Sequence, residues 1–196
     1  MKKKLLSTTL LMGLLSFQAH ADYVAPKASV SSQAAQFSVM DLPSLQAAAK
    51  QGHAGAQFYL GTKYQYGKDV AQNQQKAFEL YKLAADQGLA VAQLNVGRML
   101  AEGIGTKQNE ALAKSYFEKA ASHGDNRASF NLAVLEEKKQ NYLGAYQWYE
   151  LSTRDGMLDN KVIRLSEGKK TALAANLTQE QIREARNRAD AWIQAQ

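Results

Sequence analysis

The chain has 196 residues, a formal net charge of +6 and no cysteine. Without cysteine the chain cannot form disulfides, so packing alone must hold its fold. It also has no cysteine that could be lipidated behind a signal segment. The length supports one domain or a short array of repeats. After residue 21, no run of basic residues alternates with aromatic residues, which argues against nucleic-acid binding.

The N-terminus has the pattern of a secretory signal peptide. Three lysines, Lys2 to Lys4, precede an apolar run over residues 5–17, and a small-residue cleavage pattern ends at Ala21. A membrane-spanning helix needs about 18 apolar residues, more than this run provides. We therefore predict a signal peptide over 1–21, whose removal takes away three lysines and lowers the net charge to +3. The mature chain would be periplasmic in a bacterial cell, and not a lipoprotein.

Residues 22–43 are rich in Ala, Ser and Gln, and they contain both prolines of the chain, Pro26 and Pro43. Such a composition predicts a flexible leader without a sustained apolar period. Two interpretations stay open: a tether that follows the cleavage site, or a segment that becomes ordered on a partner.

The chain then repeats itself. Ala113 and Ala145 are equivalent positions only 32 residues apart, so the third unit has lost four residues in its loop. The pattern predicts a repeat array over 44–156, with units of about 52–87, 88–123 and 124–156. Two sets of small residues recur every 36 residues: Gly52, Gly88 and Gly124, and Gly61, Gly97 and Ala133.

Each unit is predicted to be a pair of helices. Glycine inside a helix costs about 1 kcal/mol relative to alanine, so the return of Gly61 as Gly97 indicates that another backbone approaches closely there. The second helix carries an aromatic residue near its middle and ends at a glycine suited to the left-handed conformation. These aromatic and glycine positions are Tyr81, Phe117 and Tyr149, and Gly88, Gly124 and Gly156.

The stretch "AQFYLGTKYQYGKDV" followed by "KAFELYKLAADQG" resembles the SEL-one-like repeat, a relative of the tetratricopeptide repeat. The resemblance covers Leu45 to Gly156. Asp69 departs from it, since the family usually has a second loop glycine there, and unit three lacks the loop glycines. The resemblance implies an all-α fold: a short right-handed α-solenoid of antiparallel helix pairs, here in an exported protein.

A C-terminal cap is predicted over 157–196, with a helix in "LTQEQIREARNRADAWIQ". Thr178 and Gln181 have the spacing of a capping box, in which each side chain bonds the backbone of the other. The helix would cover the open edge of the last unit, as terminal repeats require. Its apolar stripe is predicted to contain Ile182, Ala185, Ala189, Trp192 and Ile193.

The resemblance also implies that the first helix of each unit lines a concave face. The exposed positions of these helices mix aromatic, amide, basic and apolar groups, which together can bind a peptide or a loop by hydrogen bonds and stacking. An alternative for Asn95 and Asn131 is that they link helix to helix. The predicted partner-binding residues, called here the concave-face residues, are Tyr59, Lys63, Tyr66, Asn95, Arg98, Glu102 and Asn131.

No catalytic, cofactor-binding or metal-binding residue is predicted. His53 and His123 lack the companion ligands that a metal site needs, and no serine stands in a nucleophile-elbow motif. The run from Glu136 to Lys139 favours a solvated helix end over a paired-carboxylate site.

These features lead to a first hypothesis: a non-enzymatic periplasmic adaptor or scaffold without a cofactor. Its concave face would bind a peptide or domain of an envelope protein complex, such as a secretion, motility, polysaccharide-export or signalling assembly. The partner would be another envelope or periplasmic protein, with no nucleic acid and no stable membrane insertion after signal cleavage.

Two alternatives stay open. The first is a peptidoglycan-binding cell-wall enzyme or inhibitor, which an activity dependent on His53 or Glu136 would favour. The second is a homo-oligomer in which the leader of one copy fills the groove of a neighbour.

Overall fold

The computed structural model of the protein describes residues 34–154 and 159–196, so the predicted signal peptide, leader residues 22–33 and Gly156 lie outside it. The described residues form helices joined by short turns. A 3-10 helix, Ala35–Val39, comes first, followed by α1 (Leu42–Lys50), α2 (Ala54–Tyr66), α3 (Gln74–Asp86), α4 (Ala90–Glu102), α5 (Glu110–Ser122), α6 (Asn126–Lys138), α7 (Tyr142–Ser152), α8 (Asn160–Ala174) and α9 (Gln179–Gln194).

The helices pack as successive pairs, which confirms the all-α repeat fold. The largest contacts are within the pairs α2–α3, α4–α5 and α6–α7, and α3–α4 and α5–α6 join one pair to the next. Short connections between neighbours packed along their length make the helices of a pair antiparallel. Alanine and the three predicted aromatic residues of α3, α5 and α7 form the centre of the core.

An asparagine begins the second helix of every pair. Asn73, Asn109 and Asn141 cap α3, α5 and α7, and each side-chain oxygen accepts a backbone N–H three residues on, at 2.9, 3.0 and 3.2 Å. The turn of unit three reaches Asn141 through Gln140, which has a φ of 59°. The loss of four loop residues therefore leaves the start of α7 intact.

Two different residues stand at the second loop position of units one and two, with the same backbone conformation. Gly105 and Asp69 both have a φ of 65°, a region that Asp tolerates better than most residues. A Cβ atom on Gly105 would overlap the carbonyl of Gln74, because the turn of unit two rests on the start of α3. Asp69 is exposed, so the predicted departure from the repeat pattern is accommodated without change of the turn.

The glycines inside α2 and α4 face aromatic rings. A Cβ atom on Gly97 would lie 2.6 Å from the ring of Phe117, and one on Gly61 would lie 3.0 Å from the ring of Tyr81. The sequence predicted a close approach at these positions, but between the backbones of two helices. The structure corrects the partner: the missing Cβ makes room mainly for the ring of the second helix in the same pair.

Glutamines join one pair to the next. Gln57 donates to the carbonyl of Ala49 at 3.4 Å, and its equivalent Gln93 donates to the carbonyl of Ala85 at 3.3 Å. The carbonyl oxygen of Gln57 also accepts a hydrogen bond from Gln87, at 2.7 Å. In contrast, the buried Oε1 of Gln93 has no partner among the described residues. The position equivalent to Gln87 is His123, one unit on.

His123→Gln should therefore stabilise the protein. A glutamine at this position can donate to Gln93 as Gln87 donates to Gln57, and a satisfied buried oxygen contributes about 1 kcal/mol. Urea unfolding of the two proteins measures the gain. In a Gln93→Met background the same substitution should have no effect, and an equal gain there would contradict the explanation.

The end of the predicted leader is packed against the array, which corrects that prediction for residues 34–43. Phe37 is buried, and its ring stacks on His53 with centroids 5.5 Å apart. Gly55 allows this approach, since a Cβ there would lie 2.6 Å from Phe37. Asp41 then caps α1, so the array begins before Pro43.

The C-terminal region contains a helix that the sequence analysis missed. The buried side of α8 consists of Ser166, Lys170 and Leu173. Two of these three residues are polar, so the sequence shows no apolar stripe that would indicate a helix. Ser166 bonds Ser152 at 2.6 Å, and Lys170 bonds Glu150 of α7 at 2.9 Å. Polar contacts therefore hold this helix to the last pair.

The second C-terminal helix, α9, was predicted closely. The capping box of Thr178 and Gln181 is present, with bonds of 3.2 and 2.8 Å. Ile182, Ala185 and Ala189 are buried, and the ring of Trp192 lies 4.9 Å from that of Trp148. Ile193 is 46% exposed, so its place in the apolar stripe was wrong.

Acid should weaken the junction between α7 and the C-terminal helices. Burial raises the pKa of Glu150, but hydrogen bonds and charges from Lys170 and Arg154 outweigh it and hold the pKa below its ordinary value of 4.5. As pH falls, the unfolded chain therefore binds a proton before the folded one, and stability is lost between about pH 5 and pH 3. The midpoint of urea unfolding over this range measures the loss. Glu150→Gln should make it less steep, and an unchanged slope would show that other carboxylates dominate.

Candidate functional site

The concave-face residues lie on the first helix of each pair. Tyr59, Lys63 and Tyr66 are on α2, the next three are on α4, and Asn131 is on α6. On α2, Tyr66 lies about 140° around the helix from Gly61, which faces α3. The set therefore occupies the side of the first helices that faces away from the second helices.

On α2 the three residues differ in how available they are. Tyr66 is 70% exposed, whereas Tyr59 is half-buried, with its ring edge-on to Phe58 at 5.1 Å. Lys63 forms an ion pair with Asp69 at 2.5 Å, and its side chain is only 16% exposed. The hydrogen bond and charge of Lys63 hold the pKa of Asp69 below its ordinary value. A partner that uses Lys63 must compete with this ion pair.

On α4 the polar groups have no competing partner. Arg98 and Glu102 are exposed and Asn95 is half-buried. Within the described part of the chain, none of the three forms a side-chain hydrogen bond or an ion pair. Their donors and acceptors are therefore free to meet another molecule.

The hydroxyl of Tyr81, on α3, is bonded by side chains of α2. Tyr81 Oη lies 2.6 Å from Gln65 Oε1 and 3.1 Å from Thr62 Oγ1, and burial raises the pKa of Tyr81 to about 12. Tyr66 raises and Arg98 lowers this pKa. Tyr66 and Arg98 therefore have opposite electrostatic effects on one buried hydroxyl.

Asn131 does not link one helix to another. Its Nδ2 donates to the carbonyl of Arg127 in its own helix at 2.7 Å. The linking asparagine is the buried Asn126, whose Nδ2 donates to the carbonyl of Ser152 at 3.2 Å and whose Oδ1 accepts from the backbone N–H of Asp159. Sequence reasoning missed it, although it replaces the alanine that units one and two have at this position, Ala54 and Ala90.

The residues named for the enzyme alternative have structural contacts. His53 stacks on Phe37. Glu136 is 7% exposed, so the prediction of a solvated helix end was wrong for it. It accepts hydrogen bonds from Lys114 and Asn141, each at 2.8 Å, and these outweigh burial and lower its pKa. A lowered pKa keeps Glu136 ionised at neutral pH, the opposite of what a general acid needs.

Residues 34–154 and 159–196 lack two further features. No group of three or more His, Cys, Asp or Glu side chains there could hold a metal ion. Over the same ranges, no helix combines the length and the apolar composition that crossing a bilayer requires.

The repeat can be compared with known families. The family model described as Sel1 repeat matches residues 54–89, 90–125 and 127–157, more than half of the chain. This chain belongs to the Sel1 repeat family. No curated protein matches it.

Solved structures carry the same Sel1 fold. A Sel1 repeat protein from Oxalobacter formigenes is 31% identical, with a TM-score of 0.54 over 65% of this chain and 98% of its own. A second structure is c5321, a protective antigen of uropathogenic Escherichia coli strains with an SLR fold. It is 23% identical, with a TM-score of 0.55 over 78% of this chain and 40% of its own. At that identity the likeness concerns the fold alone.

Sel1 repeat proteins generally mediate protein–protein interactions, and the scaffold is typically non-catalytic. Protein partners are therefore the class of ligand that the Sel1 family indicates for this array.

Proposed function

We propose that the protein is a non-enzymatic periplasmic adaptor that binds a peptide or domain of an envelope protein complex through its concave-face residues. The periplasmic location rests on the predicted signal peptide over 1–21. Protein binding rests on membership in the Sel1 family and on the surface formed by α2 and α4.

One observation carries the proposal: Tyr66 of α2 and Arg98 of α4 are both exposed, and neither forms a side-chain hydrogen bond or an ion pair with another described residue. An exposed aromatic ring can stack on a partner, and a free guanidinium can bond its carbonyl or carboxylate groups. Glu102 and Asn95 add an acceptor and an amide on the same helix. Tyrosine and arginine are also among the residue types that most often dominate binding energy at interfaces.

In-cell crosslinking tests this proposal. A photoreactive residue is placed at Tyr66, which is more exposed than Tyr59, and a control probe is placed at Lys82 on α3. We expect a defined envelope protein to be captured from Tyr66 and not from Lys82. Capture should be lost on Arg98→Glu, because the reversed charge repels the carboxylate that the arginine binds.

The other crosslinking results would contradict the proposal or favour an alternative. Equal capture from both probes, or none from either, would contradict binding on the concave face. Self-crosslinks alone would favour the homo-oligomer. Fractionation of cells that produce the full chain tests the location separately, since the mature protein should appear in the periplasmic fraction without residues 1–21.

A further inference from the structure

Two equivalent grooves each lie over the first helix of a pair, between the helices that precede and follow it in the chain. The first groove is between α1 and α3, above α2, and the second groove is between α3 and α5, above α4. In the second groove the buried Tyr116 of α5 reaches across and donates to Asp86 Oδ1 of α3 at 3.0 Å. The ring of Tyr116 therefore fills this groove, and its hydroxyl closes it.

The first groove lacks that filling. Thirty-six residues before Tyr116 and Asp86 stand Leu80 and Lys50, which cannot form the same hydrogen bond. A cavity of about 500 Å³ remains, with Leu60 and Tyr64 of α2 among its lining residues. Leu83, which also lines it, is 52% exposed, so the groove presents a large apolar side chain to solvent.

The charge around the first groove has one sign. Lys50 and Lys76 line it, and none of its lining residues is Asp or Glu. Lys76 Nζ lies 4.2 Å above the centre of the Tyr64 ring, which holds the ammonium group at the groove. Neither lysine forms an ion pair with any described residue. The groove is thus apolar inside and positively charged at its edge.

We propose that the first groove is a docking site for a partner segment that presents an aromatic or large apolar side chain beside a carboxylate. The side chain would occupy the space that Tyr116 fills in the second groove. The carboxylate would meet Lys50 and Lys76, as a charge-assisted hydrogen bond requires. The equivalent groove shows that an aromatic ring of this chain already fits such a space.

This site goes beyond the proposed function because it lies on another side of the array. On α2, Leu60 and Tyr64 lie about 100° to 160° around the helix from Tyr59 and Tyr66. A partner in the first groove would leave the concave-face residues uncovered, so the protein would have two separate binding surfaces.

The test is NMR titration of the isotope-labelled protein with indole-3-propionate, an aromatic ring that bears a carboxylate. We expect amide shift changes to concentrate in 46–50, 57–64 and 76–83. Tryptamine, of similar size but with an ammonium group, should bind at least about tenfold more weakly, because it meets the two lysines. Equal shifts from both probes, or shifts scattered over the chain, would overturn the proposal.

A filling variant supplies the matched control. Leu80→Tyr combined with Lys50→Asp places in the first groove the pair that Tyr116 and Asp86 form in the second, so the variant should fold and lose the probe-induced shifts. Tyr66→Ser should keep them, which separates this site from the concave face. Retained shifts in the filled variant would overturn the proposal. If the same amides shifted on simple dilution, the occupant of the groove would be a second copy of the chain, and the proposal would likewise be overturned.

Discussion

Gly97→Leu should be among the most destabilising single substitutions in the array. Even a Cβ atom would lie 2.6 Å from the ring of Phe117, which is 1% exposed and cannot move into open space. Overpacking of this kind typically costs about 1–3 kcal/mol, and occasionally more, out of a total stability of about 5–15 kcal/mol. Urea and thermal unfolding, followed by circular dichroism, measure the loss.

Two other glycines provide a graded control for this prediction. Gly61→Ala should cost less than Gly97→Ala, because a Cβ on Gly61 would lie 3.0 Å from the ring of Tyr81. Gly168→Ala in α8 should stabilise by up to about 1 kcal/mol, since nothing lies within 4 Å and alanine is the better helix former. If all three alanine variants behave alike, ring contact does not explain the recurrent glycine.

Deletion of 177–196 should cause aggregation. It removes α9, whose buried residues Ile182, Ala185 and Ala189 cover α7, and it uncovers the ring of Trp148. An exposed stacking face of a repeat array associates with other copies, so terminal caps are needed for solubility. Size-exclusion chromatography with light scattering should show large species or loss of soluble protein.

Point variants separate the cap from a general effect of truncation. Trp192→Ala should reproduce part of the defect, because Trp192 packs on Trp148, whereas Ile193→Ala should be nearly neutral, because Ile193 is 46% exposed. A truncated protein that stayed monomeric and equally stable would mean that α9 does not act as a cap.

The helix pairs could be predicted from sequence because the residues that recur at a fixed spacing each have a single structural role. Gly97, Phe117 and Gly88 each recur at fixed offsets, and each meets a steric requirement that few other residues satisfy. The capping box of Thr178 and Gln181 could likewise be recognised, since it depends on local sequence alone.

Other parts could not be predicted, for physical reasons. The buried side of α8 is mostly polar, and only its partners, such as Glu150, explain why Lys170 can be buried. The largest apolar anchor at the end of the leader is Phe37, whose burial depends on space above Gly55 in another helix.

The exposed positions of the candidate site followed from the helical period, but their interactions did not. Lys63 forms an ion pair with Asp69 in the following turn, and the ring of Tyr59 packs edge-on against that of its neighbour Phe58. The filled and unfilled grooves are likewise visible only in three dimensions, although the sequence shows that Leu80 stands at the position equivalent to Tyr116.

The turn that contains Gly105 gives the array a mechanical property. Its backbone rests directly on the carbonyl of Gln74, with no side chain between them. A side chain can change rotamer to absorb a displacement, but a backbone cannot without moving its whole turn. Fraying of α3 should therefore lift the turn between α4 and α5, so the first two pairs unfold together, and hydrogen exchange in α3 and α5 should report one shared opening reaction.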